Sequence, residues 1–246
     1  MSSNTAPSNT YNPKSPVLFL GICSLNKATV SSDEPYHKER SIAARLKDPQ
    51  AIKLLYQARN LSFDLIFKGG LENKGSSLAE HPLNLGLHRS QDFNGKASAK
   101  YLPAIDRYIG RFYSGKGNDG KIYDLKTSLE KSPHHLLIIS GLYGLLLPEE
   151  QIQLYESPLE DLQEIQEIWK TDNRLACLLA AYARAEGIKL VVDMTGQRAY
   201  QQLIDWSAIE GLKDVRVLHA MAKIGSGEDQ IKTFTAALCD SLLKMP

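Results

Sequence analysis

Cys23-Ser24-Leu25-Asn26-Lys27 sets a thiol, a hydroxyl and an amine within one short segment. A lysine just past a buried apolar run offers a cation for a phosphate or carboxylate, or a base if partly desolvated. Ser24 and Lys27 stand as S-x-x-K, a spacing that elsewhere pairs a nucleophilic serine with a base, but at the start of a helix and in unrelated sequence. Cys23 beside Lys27 has the setting of a reactive thiolate, but reads first as a small buried packing residue. Three more segments hold similar groups: Ser140-Gly141-Leu142-Tyr143-Gly144, Asp193-Met194-Thr195-Gly196-Gln197-Arg198, and His219 followed by Lys223 and Gly225-Ser226-Gly227.

Each of these segments follows a continuous apolar run: Val17 to Ile22, Leu136 to Ile139, Leu190 to Met194 and Val215 to Leu218. Runs of this kind suit strands covered on both faces, as in a mainly parallel sheet. Helical patterns alternate with them. Asp48-Pro49 reads as an N-cap with proline at the first helical position, after which Ile52, Leu55, Tyr56 and Arg59 trace one face. Ser157-Pro158-Leu159-Glu160 has the form of a capping box, with Leu162, Ile165, Ile168 and Trp169 continuing at helical spacing. Thr171-Asp172 restarts the pattern up to Gly187, and Gln197 to Trp206 and Glu228 to Lys244 read as further helices. The expected fold is α/β, with a mainly parallel central sheet, helices on both faces and a helical, loop-rich insert in the middle. Ligands of such sheets bind beyond the carboxyl ends of the strands, where loops bring polar groups and helix N-termini bring free N–H donors. Loops there also carry Ser, Gly and Asp simply because those residues cap helices and form turns. Four such loops together point to a site.

Composition narrows the classes. Twenty-nine basic residues face 28 acidic ones, a formal charge of +1, so no global field attracts nucleic acid. No apolar run reaches the ~18 residues of a membrane span. Residues 1–15 read as a disordered tail without the basic start and apolar stretch of an export signal, and residues 16–246 as one domain. Three cysteines without metal-like spacing, in a chain with no export signal, suggest reduced thiols and a cytoplasmic protein. His134-His135 lacks a third ligand at zinc spacing and reads as structural. The glycine-rich run from Gly115 to Gly120 fits no phosphate-binding motif and reads as a turn. No metal or cofactor is expected.

Two blocks resemble the peroxide-stress protein YaaA family. Tyr108-Ile109-Gly110-Arg111-Phe112-Tyr113-Ser114-Gly115 is similar to that family's F-K-G-D-V-Y-x-G. Ile139-Ser140-Gly141-Leu142-Tyr143-Gly144-Leu145-Leu146-Leu147-Pro148, with Ile152-Gln153-Leu154-Tyr155 downstream, is similar to L-S-G-L-Y-G-x-L-R-P and Q-P-Y. Ser24 and Lys27 fit S-P-A-K-T, Trp169 falls where the family has a tryptophan, and Val191-Val192-Asp193 sits like V-I-N. Leu147 replaces an arginine and Asp193 an asparagine, and the basic C-terminal block has only Ala222-Lys223-Ile224-Gly225-Ser226-Gly227 as its nearest equivalent.

The resemblance implies a stress-response protein of nucleic-acid or nucleobase metabolism, protecting DNA under oxidative stress, with DNA or a nucleobase or nucleotide as partner. The expected ligand site is Ser24, Lys27, Tyr113, Ser140, Tyr143 and Tyr155, tyrosines stacking on a base while Lys27 holds a phosphate. An enzyme acting on a base or nucleotide, as glycosidase, transferase or hydrolase, is the alternative, and the oligomeric state is left open. The balanced charge predicts duplex binding only at low salt, with a shallow salt slope from few phosphate contacts. Fluorescence anisotropy across a salt series reads this directly; tight binding at physiological salt would reveal a local basic patch.

Overall fold

The computed structural model describes residues 15–110, 112–116, 121–220 and 227–244. The expected tail thus lies, apart from Ser15, outside the described residues, as do Lys223 and most of the block around it.

All four apolar runs are strands of one sheet. β1 (Val17–Ile22), β2 (His135–Ser140), β3 (Gly144–Leu146), β4 (Leu190–Asp193) and β5 (Arg216–His219) lie in the order β5-β4-β1-β2-β3. β1 pairs in parallel with β2 and with β4, and β4 pairs in parallel with β5. Val17, Leu18, Phe19 and Leu20 are at most 2 % exposed, which is why β1 shows no polar alternation. β3 is antiparallel to β2 and was not expected as a strand. At three residues it is too short to show a period, and Gly144, at φ +71°, makes the turn into it. A Cβ on Gly144 would stand inside the indole ring of the fully buried Trp169.

α1 (Pro49–Phe67) starts as expected: the Asp48 carboxylate accepts from the amides of Gln50 and Ala51. α2 (Gln163–Lys170) begins later than the Ser157 box implied. The Glu160 carboxylate accepts instead from the Tyr200 hydroxyl, so it does not close a capping box. α3 (Arg174–Glu186) follows a kink with Asp172 and Asn173 at positive φ and ends on Gly187 at φ +68°. The expected helix from Gln197 to Trp206 is two short pieces, Arg198–Gln201 and Trp206–Glu210. Asp205 breaks it by capping the second piece through the Ser207 amide. α4 (Gly227–Lys244) matches its expectation. Ser114–Lys116 and Ile122–Asp124 pair antiparallel, and the expected turn of the glycine run lies, beyond Lys116, outside the described residues. α1 packs on both α2 and α3.

A fully buried charge network fastens the long β1–β2 insert to the sheet. The Arg59 guanidinium donates to the carbonyls of Tyr143, Asp92 and Leu145, and its Nη1 lies 2.8 Å from Glu150 Oε1. Glu150 also accepts from the amides of Ile42 and Leu147. Asp92 accepts from the Tyr143 hydroxyl at 2.7 Å and from Gln153 Nε2 at 3.0 Å. Burial outweighs these bonds and raises the Asp92 carboxyl to about 6. A raised pKa means that the folded chain holds this proton more tightly than the unfolded one. Its stabilisation is complete below the unfolded value near 4 and is lost as pH rises through about 6. In urea unfolding, the stability difference between the wild type and Asp92→Asn should therefore shrink by about 2–3 kcal/mol from pH 4 to pH 7. A constant difference would place the titration elsewhere.

Strand order also locates the topological switch point of the sheet. The chain leaves β1 toward β2 on one side and leaves β4 toward β5 on the other. The connections that follow these two neighbouring strands therefore run in opposite directions, the topological arrangement at which ligands of open α/β sheets commonly bind. Cys23-Ser24 and Asp193-Met194-Thr195 are the residues at the carboxyl ends of the two strands.

Candidate functional site

The loop after β1 is zipped between two neighbours. The Cys23 amide donates to the Ile139 carbonyl of β2, the Ala28 amide to Arg107, and the Ile109 amide to Asn26. Lys27 and Tyr108 form an antiparallel bridge. This brings Tyr108, which sequence reading had not singled out, beneath the loop.

Three hydroxyls meet there. Tyr155 Oη lies 2.7 Å from both Tyr108 Oη and Ser140 Oγ, and Ser140 Oγ accepts from the Tyr143 amide at 3.2 Å. Ser140 and Tyr155 have no exposure and Tyr108 has 1 %, so they make a buried floor. Burial pushes the Tyr108 and Tyr155 phenols well above their ordinary value, so both remain hydroxyls at neutral pH. The Lys27 ammonium sits 4.7 Å from the centre of the Tyr155 ring and 3.4 Å from Glu156 Oε2, with its side chain 2 % exposed. Its charge is thus already held by Glu156 and Tyr155. Ser24 Oγ accepts from the Asn26 amide, and a Cβ at Gly110 would collide with it. The small residue in the Tyr108–Gly115 block therefore makes room for Ser24.

Lys27, Ser140 and Tyr155 share one cluster, with Ser24 on the same loop. Tyr113 reaches it through its ring, 5.4 Å from that of Tyr108, while its hydroxyl donates to the Ile22 carbonyl. Tyr143 contacts Tyr155 ring to ring at 5.3 Å, but its hydroxyl belongs to the Asp92 network. Tyr143→Phe is therefore a core change. It should cost about 1–3 kcal/mol by calorimetry, because Asp92 loses a donor and the Gln153 amide an acceptor. Ser24→Ala, at a half-buried loop position, should stay within about 0.5 kcal/mol.

Cys23 lies 3.7 Å from the Tyr200 hydroxyl. Burial pushes its thiol up, against the pull of Lys27. Across the switch point, the fully buried Asp193 accepts from the Thr195 amide and hydroxyl, from Gln201 Nε2 and from His219 Nδ1 at 2.8 Å. His134 accepts from the Val17 amide and His135 contacts Tyr182, both structural roles. A cavity of about 480 Å³ lined by Arg45, His135, Leu147 and Tyr182 opens at the amino end of β2, away from the hydroxyl cluster. Among the described residues no helix is long and apolar enough to cross a membrane, and no three metal-binding side chains converge.

Residues 73–236 match the family model of the peroxide stress protein YaaA. The chain belongs to that family. A UPF0246 protein of Francisella tularensis subsp. novicida is 26% identical over 186 residues, 74% of this chain and 69% of the relative. Another, of Francisella philomiragia, is 26% identical over 166 residues, 65% of this chain and 61% of the relative. The YaaA match contains Tyr108, Tyr113, Ser140, Tyr143, Tyr155, Asp193 and His219, while Cys23, Ser24 and Lys27 precede it.

Proposed function

We propose that this YaaA-family protein serves peroxide-stress defence by binding a nucleobase or nucleotide in the crevice between the carboxyl ends of β1 and β4. The observation that carries this reading is the switch point itself, with the Ser24–Lys27 loop on one bank, Asp193-Met194-Thr195 on the other and the Tyr108–Tyr155–Ser140 floor holding the first loop. Crevices so placed are the usual ligand sites of open α/β sheets. Ser24 Oγ and the exposed Asn26 are the groups positioned to read a base edge, with Lys27 and Tyr155 fixing the loop that presents them.

Isothermal titration with the common nucleobases and their 5′-monophosphates tests this. At least one should bind with Kd below about 100 μM, and Ser24→Ala should weaken it about tenfold without lowering the melting temperature. If none binds at millimolar concentration, the reading fails.

A further inference from the structure

Asp193 is a carboxylate without exposure whose two oxygens are occupied by donors: Thr195 N and Oγ1 on Oδ1, and Gln201 Nε2 and His219 Nδ1 on Oδ2. With the Asp193 carboxylate accepting, His219 Nδ1 is the donating nitrogen of the 2.8 Å contact, and in a neutral imidazole that tautomer leaves Nε2 with its lone pair. The His219 side chain is 39 % exposed. Trp206 packs edge-on against the imidazole at 4.7 Å and 89°, fixing the plane of the ring. A strand clip would need none of this, because β4 and β5 are already paired through Asp193 and His219 by their backbones. Burying a charge merely to hold neighbouring strands is unfavourable compared with apolar packing. The pair also stands at the carboxyl ends of β4 and β5, beside the switch point. Adjacent residues of one short helix reach both banks, Tyr200 toward Cys23 and Gln201 to Asp193. β5 lies two strand spacings, about 10 Å, from β1.

We propose that Asp193 and His219 make this crevice hydrolytic toward nucleotide phosphoesters, with His219 Nε2 as general base and Asp193 as its positioning residue. The substrate class rests on the nucleotide reading above. A water proton passes to Nε2 as the water oxygen bonds to phosphorus. The ester P–O bond then breaks, and the departing oxygen takes the proton back from Nε2, giving alcohol and phosphate. Asp193 holds the tautomer and faces the imidazolium that forms in between.

Two measurements test it. In the ligand-free wild type, two-bond ¹H–¹⁵N NMR should show His219 protonated on Nδ1 and bare on Nε2; the opposite tautomer overturns the proposal. In the second, p-nitrophenolate release from bis(p-nitrophenyl) phosphate and from the p-nitrophenyl ester of thymidine 5′-phosphate is followed. His219→Asn should lower kcat at least 100-fold with KM within threefold. Asp193→Asn, if it folds, should lower kcat at least tenfold. A wild type that releases nothing, or a His219→Asn chain as fast as wild type, overturns the proposal. Nucleotide binding without turnover would sink the hydrolytic role alone, whereas turnover of bis(p-nitrophenyl) phosphate with no affinity for any nucleotide would sink the nucleotide reading and, with it, the substrate class, leaving only the general-base role of His219.

Discussion

Arg59→Met should destabilise the protein by about 3–5 kcal/mol in urea unfolding. The guanidinium is the cation facing Glu150 and Asp92, and all three side chains are without exposure. Methionine fills much the same volume, so packing alone would cost little. The loss comes from leaving a buried carboxylate without its partner and the carbonyls of Tyr143, Asp92 and Leu145 without donors. Pairing the change with Glu150→Gln should recover part of the loss, because the uncompensated charge goes with it. A cost below about 1 kcal/mol would mean that water reaches the site.

Gly144→Ala should be nearly as damaging, at about 2–5 kcal/mol. Two separate terms act. At φ +71° any side chain is strained, and the added methyl would occupy the space of the Trp169 ring. Trp169 cannot yield easily, since its indole N–H donates to the Gly141 carbonyl at 2.6 Å and the ring has no exposure. Thermal unfolding followed by tryptophan fluorescence reads both. Trp169→Leu in the same chain should relieve the clash and leave the φ strain, making the double variant more stable than the sum of the single losses implies.

The sheet was legible because strands buried on both faces advertise themselves as unbroken apolar runs, and β1, β2, β4 and β5 all do so. The cap at Asp48 was legible because it depends on adjacent residues. The charge network was not. Arg59 could be placed on the apolar face of its helix, but its partners stand 33 and 91 positions later, at Asp92 and Glu150, and nothing local joins them. The loops after β1 and β2 could be assigned to one edge of the sheet, since parallel strands require it. Their depth could not: the chain pattern is the same whether Tyr155 and Ser140 line a surface or lie beneath one. The Ser157 box misled because Glu160 has a better partner in Tyr200, far along the chain.

The central position of β1 has a cost during synthesis. Its partners β2 and β4 begin at residues 135 and 190, more than 110 and 160 residues after it ends. At about 5–20 residues per second, a ribosome takes roughly 6–24 seconds to deliver β2 and roughly 9–34 seconds to deliver β4. Throughout that interval Val-Leu-Phe-Leu-Gly-Ile is an aliphatic, uncharged segment with no strand to pair with, the composition that chaperones bind and aggregates recruit. In a newly made chain of this architecture, β1 therefore stays without its two strand partners until residue 193 has emerged.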